Sequence, residues 1–177
     1  SLWRYGILIN LSRRMIFLKT EEEIERMRES NKLLGMAYGE IAKAIAPGVS
    51  TAQLDKLAEE FIRDHGGIPS CKGYEGYPAT LCTSVNEQVV HGIPSNKVIL
   101  KEGDIISVDC VVGLNGYQSD SAYTFPVGEI DSETLRLLKT TRECLDLGVA
   151  QAIAGKRIGD IGFAVQQHAE AAGFSVV

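Results

Sequence analysis

Residues 104–127 read DIISVDCVVGLNGYQSDSAYTFPV, and this stretch decides the fold. Two alternating runs flank Asn115-Gly116, the strongest short-range signal for a β-hairpin. With Asn115 and Gly116 as the two loop residues, the numbers of directly opposed residues sum to 231. Asp109 then faces Ala122, and Val111 faces Asp120. Opposed residues share a face, and side chains alternate with period two. Asp109 and Asp120 therefore lie on one face as diagonal neighbours, about 7–8 Å apart at Cα. Ile106, Val108, Cys110 and Val112 form the opposite, wholly apolar face, which reads as core.

Like charges this close repel and are costly to desolvate unless a cation sits between them. A divalent metal answers that, because carboxylate oxygens suit hard and borderline ions. The plain alternative is a sheet with one solvated face and two ordinary surface aspartates. A three-residue loop would also separate the two acids.

Upstream of the hairpin, residues 68–103 share its character: Gly, Pro, Tyr, Val and Thr in short runs that read as strands and turns. His91 follows Val89-Val90 and precedes Gly92-Ile93-Pro94, at a strand end entering a turn. Such loops often hold functional groups, and an imidazole there can donate a hydrogen bond or act in acid–base chemistry. Cys71, Tyr74, Tyr77 and Cys82 fall in one segment dense in sulfur and aromatics. These side chains suit a pocket for an apolar, polarisable group, or a loop packed on the sheet. His65, at a helix end, and His168, within an amphipathic helix, read as structural.

Helices flank this sheet region. Thr20 with Glu23 forms a capping box. Ile24, Met27, Asn31, Leu34, Tyr38, Ile41 and Ile45 follow at helical spacing, up to Pro47-Gly48. A second helix runs from Ser50/Thr51 to Gly66-Gly67. After the hairpin, Asp131/Ser132 caps a third helix, with Leu135, Leu138, Cys144 and Leu145 as its apolar face, to Ala154-Gly155. A fourth spans about 159–172. A shift of 107 residues carries Gly48 onto Gly155, Leu54 onto Ile161, Ala58 onto Val165 and Gly66 onto Gly173. The first helix pair continues into sixty residues of sheet; the second reaches Phe174-Ser175-Val176-Val177, which reads as the beginning of a strand.

Composition bounds the rest. The 177 residues are 45% hydrophobic and carry a net charge of −5, which argues against a general nucleic-acid binder. No apolar run is long enough to span a bilayer. The four cysteines show no Cys-x-x-Cys spacing and read as reduced thiols. Residues 1–14 hold three arginines and no acid, too weak a pattern for a signal peptide. They read as an extension outside the fold, with a short anchoring segment as the alternative, and residues 15–177 as one domain.

From about Met15 onward the sequence resembles the type I, bacterial-type methionine aminopeptidases. The resemblance rests on Gly73-Tyr74-Glu75-Gly76-Tyr77-Pro78, Ser84-Val85-Asn86-Glu87, Val90-His91-Gly92-Ile93-Pro94, residues 103–109, and Asp120-Ser121-Ala122. It implies an α+β pita-bread fold of two pseudo-symmetric halves. It implies that Asp109 and Asp120 are two of five ligands to two divalent ions (cobalt, manganese, iron or zinc). His91 would contact substrate and act in catalysis, and Cys71, Tyr74, Tyr77 and Cys82 would surround the methionine side chain. A metal-bound hydroxide would then remove N-terminal methionine from new polypeptides, in the cytoplasm and near the ribosome, with the intact enzyme a monomer. No nucleic-acid or membrane contact is implied.

The family's remaining ligands, one His and two Glu, follow the two aspartates and do not occur here. The expectation is a chain truncated at its C-terminal sheet, with little activity alone. A non-catalytic pita-bread scaffold and a proline-specific peptidase of the same superfamily are the alternatives. Proline-specific chains usually carry a large N-terminal domain.

Overall fold

The computed structural model describes residues 16–177. The extension expected at 1–14 lies outside the described residues. Helix α1 spans Glu21–Ala44 and opens on the expected capping box, Thr20 with Glu23. Helix α2 spans Thr51–Asp64 and is capped the same way by Ser50 with Gln53. Strands follow: β1 (Ile68–Pro69), β2 (Leu81–Val85), β3 (Ile105–Leu114) and β4 (Tyr117–Pro126). Helices α3 (Ser132–Ala150) and α4 (Ile158–Ala171) complete the chain.

The hairpin forms in the expected register, with Asp109 opposite Ala122 and Val111 opposite Asp120. Asn115 and Gly116 take φ of 51° and 83°, the left-handed pair that a tight two-residue hairpin turn demands. Strand β3 is the spine of an antiparallel sheet. β4 pairs along one side of it, while β1 and β2 lie end to end along the other.

Ile106, Val108, Cys110 and Val112 are fully buried beneath α1 and α2, together with Leu34, Ile41, Leu54 and Ile62. The buried stripe of α1 is rotated from the expected one: Ser30, Leu33, Leu34, Ala37 and Ile41 face inward, and Asn31 is exposed. Two of these inward residues, Ser30 and Ala37, are small. Ser30 Oγ donates to the Val112 carbonyl at 2.9 Å and lies 3.0 Å from Ser119 Oγ, which ties the helix to the sheet.

Two other expectations are refined. Of the apolar set on α3, Cys144 is buried, but Leu135 and Leu145 are more than half exposed, because no strand among the described residues lies against them. Thr140 and Gly148 are buried beside Cys144, with Gly148 close against Val165 of α4. Residues 174–177 form no strand, since a strand exists only with a neighbour to pair with. His65 caps α2 through a 2.8 Å contact with the Phe61 carbonyl, and His168 links α4 to Glu143 of α3 at 2.8 Å. All four cysteines are free thiols.

Candidate active site

The site is built outward from β3. Asp109 sits mid-strand on the face turned away from α1 and α2, half-buried, with Asp120 exposed on the neighbouring strand. Burial lifts the Asp109 carboxyl above the ordinary range, and the Asp120 charge lifts it further. His91 lies close enough for a charge on its ring to oppose that rise. Two acids that resist sharing negative charge at one spot are the environment a cation relieves. On that ground the pair fits a divalent ion. Among the described residues, no group of three or more His, Cys, Asp or Glu side chains comes together in metal-binding geometry.

Cys82 stands directly opposite Asp109 on β2, on the same face of the sheet. It joins the acid pair to a cavity of about 550 Å³. Cys71, Tyr74, Tyr77, Cys82 and His91 all line that cavity, with Ile93 beside them. The topology explains how residues eleven apart meet. β1 and β2 share one edge of β3, so Cys71, just past β1, returns beside Cys82. Burial raises both thiols, which keeps them neutral and apolar in character.

Tyr77 fixes the cavity wall. Its hydroxyl donates to the Leu81 carbonyl at 2.9 Å and reaches the Gly92 carbonyl at 3.3 Å. Burial pushes that hydroxyl's pKa upward, so it stays a donor. Gly92 is pinned against β2: the Thr83 amide donates to its carbonyl at 2.7 Å, and its own amide donates to Ser84 Oγ at 3.2 Å. Any side chain at Gly92 would collide with the Thr83 backbone. The pinned glycine holds the exposed His91 at the cavity with φ of 58°, a left-handed conformation that costs energy for a residue with a Cβ. Asn86 closes the base of the same loop through Asp104 and the Ile105 amide.

Two residues of this region escape a reading of the sequence. Glu75 lines the cavity with φ of 47°, between two glycines that gave the only hint of a sharp turn. Asp55, on α2, accepts from the Thr80 and Leu81 amides at 2.9 and 2.7 Å and so anchors the strand that carries Cys82. Burial raises its pKa, against the opposing pull of those two amides. Nothing in its helical spacing marks it.

An antiparallel sheet with helices on one face and paired acids beside an apolar cavity on the other is the architecture of the pita-bread metallopeptidases. Residues 25–177 match the model of metallopeptidase family M24, and the chain belongs to that family. It is 51% identical over 163 residues to the methionine aminopeptidase of Clostridium acetobutylicum, covering 92% of this chain and 65% of that relative. Against methionine aminopeptidase 1 of Bacillus subtilis the identity is 47%, with the same coverage of both chains. The crystal structure of methionine aminopeptidase from Rickettsia prowazekii superposes with a TM-score of 0.89 at 36% identity, over 92% of this chain and 65% of that one. The chain thus spans about two thirds of the length of these relatives. No helix among the described residues is long and apolar enough to cross a membrane.

Proposed function

We propose that this chain supplies the substrate pocket and two of the metal ligands of a methionine aminopeptidase, acting in the cytoplasm on the N-termini of new polypeptides. One observation carries the reading: the acid pair and the thiol–tyrosine cavity meet at Cys82, on a single sheet face.

Asp109 and Asp120 would hold divalent ions, two by the family resemblance. When bound, such ions polarise a peptide carbonyl and stabilise the charge that develops on it. The chain's own residues do the rest. Tyr74, Tyr77, Cys71 and Cys82 receive an unbranched thioether side chain, which polarisable sulfur and ring edges favour. His91 stands where the first peptide bond would emerge from the cavity and can donate a hydrogen bond to it. Asp55 and Gly92 position these groups without touching substrate.

The test is release of methionine from a Met-Ala-x peptide in the presence of manganese, iron or cobalt. The chain alone should turn over poorly, because two carboxylates hold a metal weakly. Fused to the portion of the Clostridium relative that it does not span, it should release methionine, and His91→Ala or Asp120→Asn should lower that rate at least about a hundredfold. A fusion that folds and binds metal but releases no methionine would overturn the reading.

A further inference from the structure

Helix α1 bonds to the hairpin at two points, and the acid pair lies between them. At one, Ser30 Oγ donates to the Val112 carbonyl at 2.9 Å, and Ser119 Oγ donates to the Ser30 carbonyl at 3.1 Å. At the other, the Tyr38 hydroxyl lies 3.0 Å from the Val108 carbonyl and closer still to the Ser121 carbonyl. Ser30 and Tyr38 are eight residues apart, about 12 Å along a helix. Val108 and Val112 are four apart, about 13 Å along a strand. These matching spans let one helix grip one strand twice.

The register shows what Tyr38 grips. The Ile105 carbonyl accepts from the Asn86 amide and the Val111 carbonyl from the Ser70 amide, both on the side of β3 away from β4. By alternation Ile106, Val108, Cys110 and Val112 turn their N–H and C=O groups to β4. The Val108 and Ser121 carbonyls are therefore the acceptors of two successive ladder bonds, from the Tyr123 and Cys110 amides. Between those two bonds stands the pair Asp109–Ala122. The Tyr38 hydroxyl thus spans both strands beneath Asp109, on the core face of the sheet. Both neighbours of Asp120 are held as well, Ser119 through its side chain and Ser121 through its carbonyl.

A buried hydroxyl needs a partner, and one carbonyl would satisfy it. Tyr38 instead meets one carbonyl on each strand, and Ser30 with Ser119 makes a second bridge across the same two strands. Paired strands twist by about 10–35° relative to one another. A change in that twist moves diagonal side chains further than it moves the ladder between them. Bridges at both ends of the acids fix the twist where their separation depends on it.

We propose that Ser30 and Tyr38 are positioning residues for the metal site. From the core face they fix the twist between β3 and β4, and so the spacing of the Asp109 and Asp120 carboxylates on the other face. This rests on the reading of that pair as metal ligands; Ser30 and Tyr38 themselves touch neither metal nor substrate.

The test uses the full 177-residue chain with Mn²⁺ as the probe, followed through paramagnetic broadening of the Asp109 and Asp120 amide signals in nuclear magnetic resonance. Tyr38→Phe keeps the ring, 6.2 Å from that of Phe125, and removes only the hydroxyl. Ser30→Ala removes the other bridge. Each should raise the Mn²⁺ concentration for half-broadening at least about threefold, short of the roughly 10–100-fold effect of a partner that bonds a ligand directly. Ile62→Val, a core change on α2, should leave that concentration unchanged. Amide hydrogen exchange without metal gives a second measure. Tyr38→Phe should speed exchange at Cys110 and Tyr123 at least about fivefold more than at Ala58, inside α2. Midpoints that shift no further in Tyr38→Phe and Ser30→Ala than in Ile62→Val would overturn the proposal, as would exchange that quickens equally at all three amides. A wild-type chain whose Asp109 and Asp120 signals do not respond to Mn²⁺ would sink the metal reading itself; the exchange contrast, read without metal, separates that failure from this one.

Discussion

The two helix pairs of this protein are built alike and supported differently. α2 and α4 have equal length at the 107-residue shift, and the glycines between and after the helices of each pair adopt matching left-handed φ: 91° and 89° at Gly48 and Gly155, 76° and 81° at Gly66 and Gly173. Their burial diverges. Thr51 is 1% exposed and its counterpart Ile158 is 85% exposed. Leu54 is fully buried; Ile161 is half-buried. Caps, turns and periodicity fix where a helix begins, ends and turns its face. Whether that face is buried depends on a sheet elsewhere in the chain.

The largest expected effect tests this directly. Leu54→Ala should cost about 2–5 kcal/mol in urea unfolding, the range for emptying a closed core. Ile161→Ala should cost about 1 kcal/mol, because its surroundings are already half open. Equal losses would mean that α4 is held as firmly as α2 and would end the contrast.

Asp55 comes next, because it is the tie that the second pair lacks. Its Oδ1 accepts two amides from the start of β2, while the counterpart 107 residues on is Gly162. Asp55→Ala should cost about 1–3 kcal/mol by leaving those amides unpaired. Asp55→Asn, which keeps an acceptor oxygen, should recover most of that. The carboxyl also titrates above its ordinary range because it is buried. The folded chain therefore holds this proton more tightly than the unfolded chain does. That contribution is complete below the ordinary aspartate range and is lost as pH rises through the raised value. Asp55→Asn should remove this slope from a plot of unfolding free energy against pH.

Much of this was legible in the sequence, and the limits are instructive. The Asn-Gly loop gave the hairpin register, hence the shared face of Asp109 and Asp120, because side-chain alternation is local arithmetic. The capping boxes gave the helix starts for the same reason. Ser30 and Ala37 were missed as core because they bury little apolar surface of their own; they matter where α1 and the sheet approach closely. Asp55 was missed because its partners lie 25 and 26 residues away. The meeting of Cys71 with Cys82 needed the end-to-end placement of β1 and β2, which no pattern within either segment encodes. Leu135 and Leu145 share a helix with Leu138 and Cys144 as the spacing predicts, yet both are more than half exposed, the same division between local and tertiary causes that separates the helix pairs.

If local structure really is equivalent in the two pairs, their caps should be worth the same. Thr20 caps α1 through the Glu23 amide, and Asp131 caps α3 through the Thr134 amide. Thr20→Ala and Asp131→Ala should each cost about 1 kcal/mol. A much smaller loss at Asp131, with the α3 signal followed separately, would show that α3 and α4 melt before the rest and that their caps are invisible to global unfolding.

The smallest effect has the opposite sign and arises where the second pair is least constrained. Gly162 sits inside α4 with nothing beyond its chain neighbours and its own helix backbone within 4 Å of the position a Cβ would take. Its backbone is helical, so glycine is not required there, and its conformational freedom in the unfolded chain favours unfolding. Gly162→Ala should therefore stabilise the protein by about 0.5–1 kcal/mol. In the first pair the comparable change, at Gly67, would drive a Cβ into Leu33 Cδ2 at 2.7 Å and Ile62 Cγ2 at 2.9 Å. Gly67→Ala should then destabilise, since a close-packed neighbour must move. Opposite signs from one substitution type, measured by urea unfolding, would locate the difference between the two helix pairs in the packing around them.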